Sequence, residues 1–229
     1  MNLLVTAFGS FGGRELNASS LVLAGLRKSF PGIRTRVLPV DAVIAPSRLI
    51  QAIRLIQPDA LIMLGEAGGS REIRLETTAW NELDFRIPDI AGRQYTPRPI
   101  RREAPVSLPS TLPLGEIHKR LVSLGHPVTV SEDPGRYLCN QIFFRALDHL
   151  AQSGIAIPVG FIHLPLGSAT IRPRAQWPRS AMWFGCWRHP GNASIYKLFL
   201  IVCVRETSVF YHPCNSVPSH FLRPHRCRR

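Results

Sequence analysis

Short apolar runs alternate along this chain with segments whose apolar positions recur at helical spacing. That alternation predicts an α/β fold: an open, twisted, mostly parallel sheet with helices on both faces, each crossover helix burying its stripe on the strands it connects. Strands are expected at residues 3–7, 34–38, 60–64, 128–130 and 159–163. Between them, Leu49, Ile53 and Ile56 share one helical face, and Ile117, Leu121 and Leu124 repeat the spacing. Ser19 and Ser20 are candidate caps for a helix running to Phe30, and Pro46 with Ser47 is expected to open the next one. Residues 93–113 are rich in Pro and Arg without a period, which predicts a long surface loop.

Composition changes this picture in one respect, by dividing the chain. The 229 residues suit a single core, and the formal charge of +13 would normally point to nucleic acid. From Ser168 onward, however, ten Lys and Arg face a single acid, Glu206, so that segment carries +9 and residues 1–167 only +4. No nucleic-acid partner is therefore expected. Cysteine divides at the same place: Cys139 stands alone in the body, while Cys186, Cys203, Cys214 and Cys227 follow it. A body with one Cys has no internal disulfide framework. No leader pattern opens the chain, and its longest apolar run, residues 198–204, is far short of the ~20 residues that span a bilayer. A cytoplasmic protein without a membrane partner is the expectation.

Candidate chemistry lies in the body. Cys139 precedes Ile142, Phe143, Ala146, Leu147 and Leu150, whose spacing predicts a helix beginning close to the thiol. A helix N-terminus favours thiolate over thiol, although a Cys in register with an apolar stripe is also an ordinary small hydrophobe. His163 ends the run Val159-Gly160-Phe161-Ile162, at the strand edge where open α/β sheets place their ligand crevices. A Cys–His pair could form there. Glu76 alternates with Ile73 and Leu75, so it occupies the opposite strand face, where a solvated carboxylate is the ordinary outcome. Two glycine-rich turns, residues 8–13 and 65–69, follow strands but lack the ending of a phosphate-binding loop. Phe8 and Phe11 in the first suggest an apolar crevice or plain core.

Taken in order, Phe8-Gly9-Ser10-Phe11-Gly12-Gly13, Asn17-Ala18-Ser19, Gly65-Glu66-Ala67-Gly68-Gly69, Glu76 through Asn81, Arg86-Ile87-Pro88-Asp89, Tyr137-Leu138-Cys139-Asn140 and Phe161-Ile162-His163-Leu164-Pro165 resemble the pyroglutamyl peptidase type I, or pyrrolidone-carboxylate peptidase, family. The resemblance covers residues 1–167. It implies a cysteine exopeptidase that removes N-terminal pyroglutamate from peptides through a thioester, without metal or other cofactor. Cys139 would be the nucleophile, His163 the base and Glu76 the orienting carboxylate. Phe8 and Phe11 would form the slot for the lactam ring, with Asn17 as a polar contact and Arg86 beside the oxyanion. N-terminally pyroglutamylated peptides are the implied partners, and the homo-oligomers common in the family remain open for this chain.

The chain also departs from the family pattern. Glu66 stands where Gln is usual, and Ile90 follows Pro88-Asp89 where Asn is usual. Residues 171–229 show no helical period where the family has a final amphipathic helix, and the tail reads as a reading-frame shift fused between Leu166 and Arg174, or as disordered chain. The alternative reading of the whole is an impaired member that keeps only the crevice. A zinc site on Cys186 with His189 and His212 with Cys214 lacks the repeated spacing of structural zinc ligands.

Overall fold

A computed structural model describes residues 2–13 and 17–165. In chain order the elements are β1 (Leu3–Phe8), α1 (Ala18–Ser29), β2 (Arg34–Leu38), α2 (Ile44–Ile56), β3 (Ala60–Ala67), β4 (Ile73–Glu76), β5 (Thr78–Trp80), β6 (Ser107–Pro109), α3 (Leu114–Ser123), β7 (Val128–Ser131), α4 (Leu138–Gln152) and β8 (Val159–Pro165). Six strands form one sheet in the order β2-β1-β3-β8-β4-β7. The pairs β1/β2, β1/β3, β3/β8 and β4/β7 are parallel, and β4/β8 is antiparallel. The sheet is thus mostly parallel, with helices on both faces.

Burial follows from the strand period of two. Leu4, Leu61, Met63 and Phe161 point to the face covered by Leu49 and Ile53 of α2 and by Phe143 and Phe144 of α4. Leu3, Val5, Ile62, Leu64 and Ile162 point to the other face, under Leu23 and Leu26 of α1 and Ile117 and Leu121 of α3. Phe143, Phe144 and Phe161 are fully buried. Each contributes on the order of 2 kcal/mol of transfer free energy, which fixes α4 firmly over β3 and β8.

Several local expectations are corrected. Asn17, not Ser19 or Ser20, caps α1: its Oδ1 accepts from the Ser19 backbone N–H at 3.0 Å and the Ser19 hydroxyl at 2.6 Å. Helix α2 opens at Ile44 rather than at Pro46, because Asp41 Oδ1 accepts from the N–H groups of Val43 and Ile44, both at 2.8 Å. Residues 65–67 belong to β3 rather than to a turn. The stretch 93–113 does run as a surface loop apart from the short β6, and it is pinned at several points. Arg101 makes a two-pronged ion pair with Asp148 of α4 (2.9 and 2.8 Å), Asn81 bonds the backbone of Arg101, and β6 pairs antiparallel with β5. The expectations for the segment beyond residue 165, including a zinc site and a shifted reading frame, lie outside the described residues. No helix among the described residues is long and apolar enough to cross a membrane.

Candidate active site

Three elements converge on the α2/α4 side of the sheet. Helix α4 begins at Leu138 and puts Cys139 in its first turn; Tyr137, at the N-cap, makes no side-chain cap hydrogen bond to that turn. The thiol is half-buried. Strand β8 carries His163, and its antiparallel neighbour β4 carries Arg74 directly opposite His163 and Glu76 opposite Phe161. Arg74, Glu76, Phe161 and His163 therefore project from the same face of the sheet.

The alternation that set Glu76 apart from Ile73 and Leu75 holds, but the carboxylate is not solvated. Glu76 is fully buried and its Oε1 lies 2.8 Å from His163 Nδ1. That contact leaves Nε2 of the ring as the nitrogen that can face Cys139, whose thiolate acts on the imidazole. Burial opposes a charged imidazole. The charge and hydrogen bond of Cys139, helped by Glu76, outweigh it and push His163 up from 6.5 to about 9. Sulfur, imidazole and carboxylate thus form a continuous line, the arrangement that lets a base be oriented by a third group.

Gly65 makes room for this line. It sits beside His163 in the β3/β8 register, and a Cβ placed on it would lie 3.0 Å from Cys139 Sγ and 2.7 Å from Phe161 Cζ. Only a residue without a side chain lets strand and thiol approach this closely. Asn140, next to the thiol and fully buried, accepts from the Trp80 N–H (2.8 Å) and donates to the carbonyls of Trp80 (2.8 Å) and Glu82 (2.9 Å). It ties the start of α4 to the segment leaving Glu76.

Beside the thiol lies a row of rings. Phe11, half-buried, is 5.8 Å from Tyr137, whose ring is 4.5 Å from Phe85, itself 5.0 Å from Tyr95. The Tyr137 hydroxyl donates to the Pro88 carbonyl at 3.1 Å, and burial, with the nearby charges of Asp89 and Cys139, pushes its ionisation well up, so it remains a neutral donor. The Pro88 loop is fixed by Asp89, which accepts from the N–H groups of Ala42, Ala91 and Arg93 at 2.8–2.9 Å and pairs with the Arg93 guanidinium.

Of the residues singled out from sequence, Cys139, His163 and Glu76 come together. Phe11 joins the aromatic row, and Phe8 ends β1 almost fully buried in the core beneath α2 and α4. Asn17 is occupied at the start of α1, and Arg86 is exposed, with no described contact between its guanidinium and Cys139. Glu66 turns its Oε2 onto the Ala18 N–H at 2.7 Å, placing its charge at the positive end of α1. Sequence reasoning quoted Gly65, Tyr137 and Asn140 within its motifs but gave none of them, nor Arg74, a role of its own. Of these, Gly65 carried a signal, a glycine directly continuing a buried strand.

Comparison with known proteins bears on this arrangement. The family model described as pyroglutamyl peptidase matches residues 1–179, running past residue 167 into the segment that composition sets apart. The chain is 38% identical over 168 residues to the pyrrolidone-carboxylate peptidase of Pyrococcus furiosus, covering 72% of this chain and 81% of the relative. Against the enzyme of that name from Thermoanaerobacter sp. it is 34% identical, with 72% and 82% covered. The solved pyrrolidone carboxyl peptidase from Thermococcus litoralis superposes with a TM-score of 0.68 at 34% identity, covering 74% of this chain and 78% of that one. The one from Thermus thermophilus gives 0.66 at 38%, with 71% and 84% covered. The chain belongs to the pyroglutamyl peptidase family, as a cysteine peptidase of the pyroglutamyl-peptidase I type.

Proposed function

We propose that this chain removes N-terminal pyroglutamate from peptides through a thioester on Cys139. The observation that carries the reading is the line from Cys139 through His163 to Glu76, with the Nδ1 to Oε1 contact at 2.8 Å. In the first half-reaction the Cys139 thiolate attacks the pyroglutamyl carbonyl carbon, forming a C–S bond and an oxyanion. Collapse breaks the C–N bond, and the His163 imidazolium gives its Nε2 proton to the leaving amine. In the second, neutral His163 takes a proton from water, which attacks the thioester and releases pyroglutamate and the thiol. Glu76 fixes the tautomer by holding Nδ1–H.

The substrate class follows from the chemistry a lactam offers. Pyroglutamate has no free amine, so it can enter an apolar slot that would exclude a charged N-terminus. Phe11, supported by Tyr137 and Phe85, is our candidate wall for that slot, with Phe8 behind it. Asn17 and the backbone of the first glycine turn are candidate polar partners for the ring. The first-turn N–H groups of α4 and Arg86 are candidate donors to the oxyanion.

The test is hydrolysis of a chromogenic pyroglutamyl amide. Cys139→Ala and His163→Ala should each abolish turnover in folded protein, and Glu76→Gln should leave a residual rate, about 10²-fold to 10⁴-fold down if the carboxylate sets the tautomer. Full activity in Cys139→Ala would refute the mechanism.

A further inference from the structure

The Glu76 carboxylate does not serve His163 alone. Its Oε1 is also 3.3 Å from Nε of Arg74, while its Oε2 is buried and without a hydrogen bond among the described residues. Two cationic partners therefore share one oxygen. Arg74 is held for this: its Nη2 donates to the Ser131 hydroxyl and the Asp133 carbonyl, both at 2.6 Å, and Asp133 in turn pairs with Arg136 at 2.6 Å. The guanidinium thus reaches inward from the β4/β7 edge, with Glu76 at one end and the turn after β7 at the other.

Register makes this arrangement consequential. Arg74 is the direct cross-strand neighbour of His163. Like charges directly opposite one another repel, and here the Glu76 carboxylate receives both. The charged and titratable groups facing His163 are Glu76 and Arg74 from β4 and Cys139 from α4; Asp133 and Arg136 lie behind Arg74.

We propose that Arg74 is a positioning residue that acts through Glu76, drawing off part of the carboxylate's charge so that His163 can release its proton during turnover. The proposal rests on the reading of Cys139, His163 and Glu76 as the reacting system. Its physical reason lies in the second half-reaction. Once Cys139 is acylated, the thiolate charge that favours imidazolium has gone, but Glu76 remains. An unopposed buried carboxylate would keep His163 protonated and unable to accept a proton from water. Arg74 counters that pull without touching the ring.

The test compares the unaltered chain with Arg74→Gln, which removes the charge but keeps an amide donor, and Arg74→Lys, which keeps the charge. Two readouts are taken: kcat and KM for a fluorogenic pyroglutamyl amide from pH 5 to 10, and NMR titration of the His163 imidazole, assigned by its loss in His163→Gln. In Arg74→Gln the titration should move upward by at least about half a unit, and kcat near pH 7 should fall about threefold or more, recovering as pH rises, with KM within about twofold. Arg74→Lys should restore most of both. A purely structural role would lower activity at every pH and leave the titration in place. An unmoved titration and kcat in folded Arg74→Gln overturns the proposal. Should that variant not fold, Ser131→Ala, which only loosens the Arg74 anchor, should shift the titration in the same direction by a smaller amount, and no shift overturns it. If the unaltered chain shows no hydrolysis, the reading of the site fails while the titration still judges Arg74. If Cys139→Ala abolishes hydrolysis but Arg74→Gln moves nothing, only the Arg74 proposal fails.

Discussion

Replacing Gly65 with alanine adds one methyl group beneath the Cys139 thiol. The new carbon would stand 3.0 Å from Cys139 Sγ, 2.7 Å from Phe161 Cζ and 2.9 Å from Phe161 Cε1. Relaxed contacts between such atoms lie near ~3.5–4.0 Å, so the pairs are short by roughly 0.5 to 1.3 Å. Something must move, and the choice is narrow. The Phe161 ring is fully buried and packed 5.9 Å from Phe143 and 4.8 Å from His163, so turning it disturbs that imidazole as well as the core. Cys139 is only half-buried, and rotation of its side chain is the easier response. Overpacking of this kind costs about 1–3 kcal/mol, or ~3–10 °C in the unfolding midpoint of a domain this size. Displacing the sulfur by up to ~1 Å should cost about 10-fold to 100-fold in kcat/KM. Hydrolysis of a pyroglutamyl amide, measured alongside thermal unfolding, separates the two effects. A variant within twofold of the unaltered chain would refute the placement of the thiol over β3. A rate loss no larger than the loss of folded protein would refute it too.

Two other perturbations follow from the geometry. Phe11→Ala removes the exposed end of the aromatic row and should narrow the preference for pyroglutamyl over prolyl amides by about 10-fold; unchanged selectivity would make Phe11 simple packing. Asp41 and Asp89 are buried, which by itself would raise them, but backbone N–H groups and Arg93 hold both below 3.8. Their unfolded forms therefore bind protons first as pH falls, so the stability they contribute is present above about pH 4 and is lost as pH drops through their folded values. Asp89→Asn should be less stable at neutral pH and show a shallower fall between pH 5 and 3 in urea midpoints. Parallel curves would contradict this.

Much of the fold could be read from period alone. The buried runs of β1, β3 and β8 and the faces of α2 and α3 lie where spacing put them, because strands covered on both faces are continuously apolar and their helices are not. The direction of β4 could not be read. Four residues with Ile73 and Leu75 on one face look the same in either orientation, and only pairing with β8 decides it. That direction also sets Arg74 opposite His163, so the role of Arg74 was equally hidden. For the site itself, the residues taken one by one favoured ordinary packing for Cys139 and solvent for Glu76. What brought them together was the resemblance of the motifs, in order, to a known family, since the partners are distant in sequence and meet only through the sheet. Asn17 and Asp41 show a smaller limit. Both are good capping residues, but Ser19, Ser20 and Ser47 competed for the same role on equal local terms.

Strand β8 comes last among the described strands, yet lies between β3 and β4 in the middle of the sheet. Until it arrives, the chain before it can form only two fragments of sheet, β2-β1-β3 and β4-β7, with no hydrogen-bonded edge between them. Cys139 lies upstream of β8 and His163 within it, so an emerging polypeptide exposes the thiol before it possesses the imidazole. Closing the gap in the sheet and bringing His163 to Cys139 are then a single event.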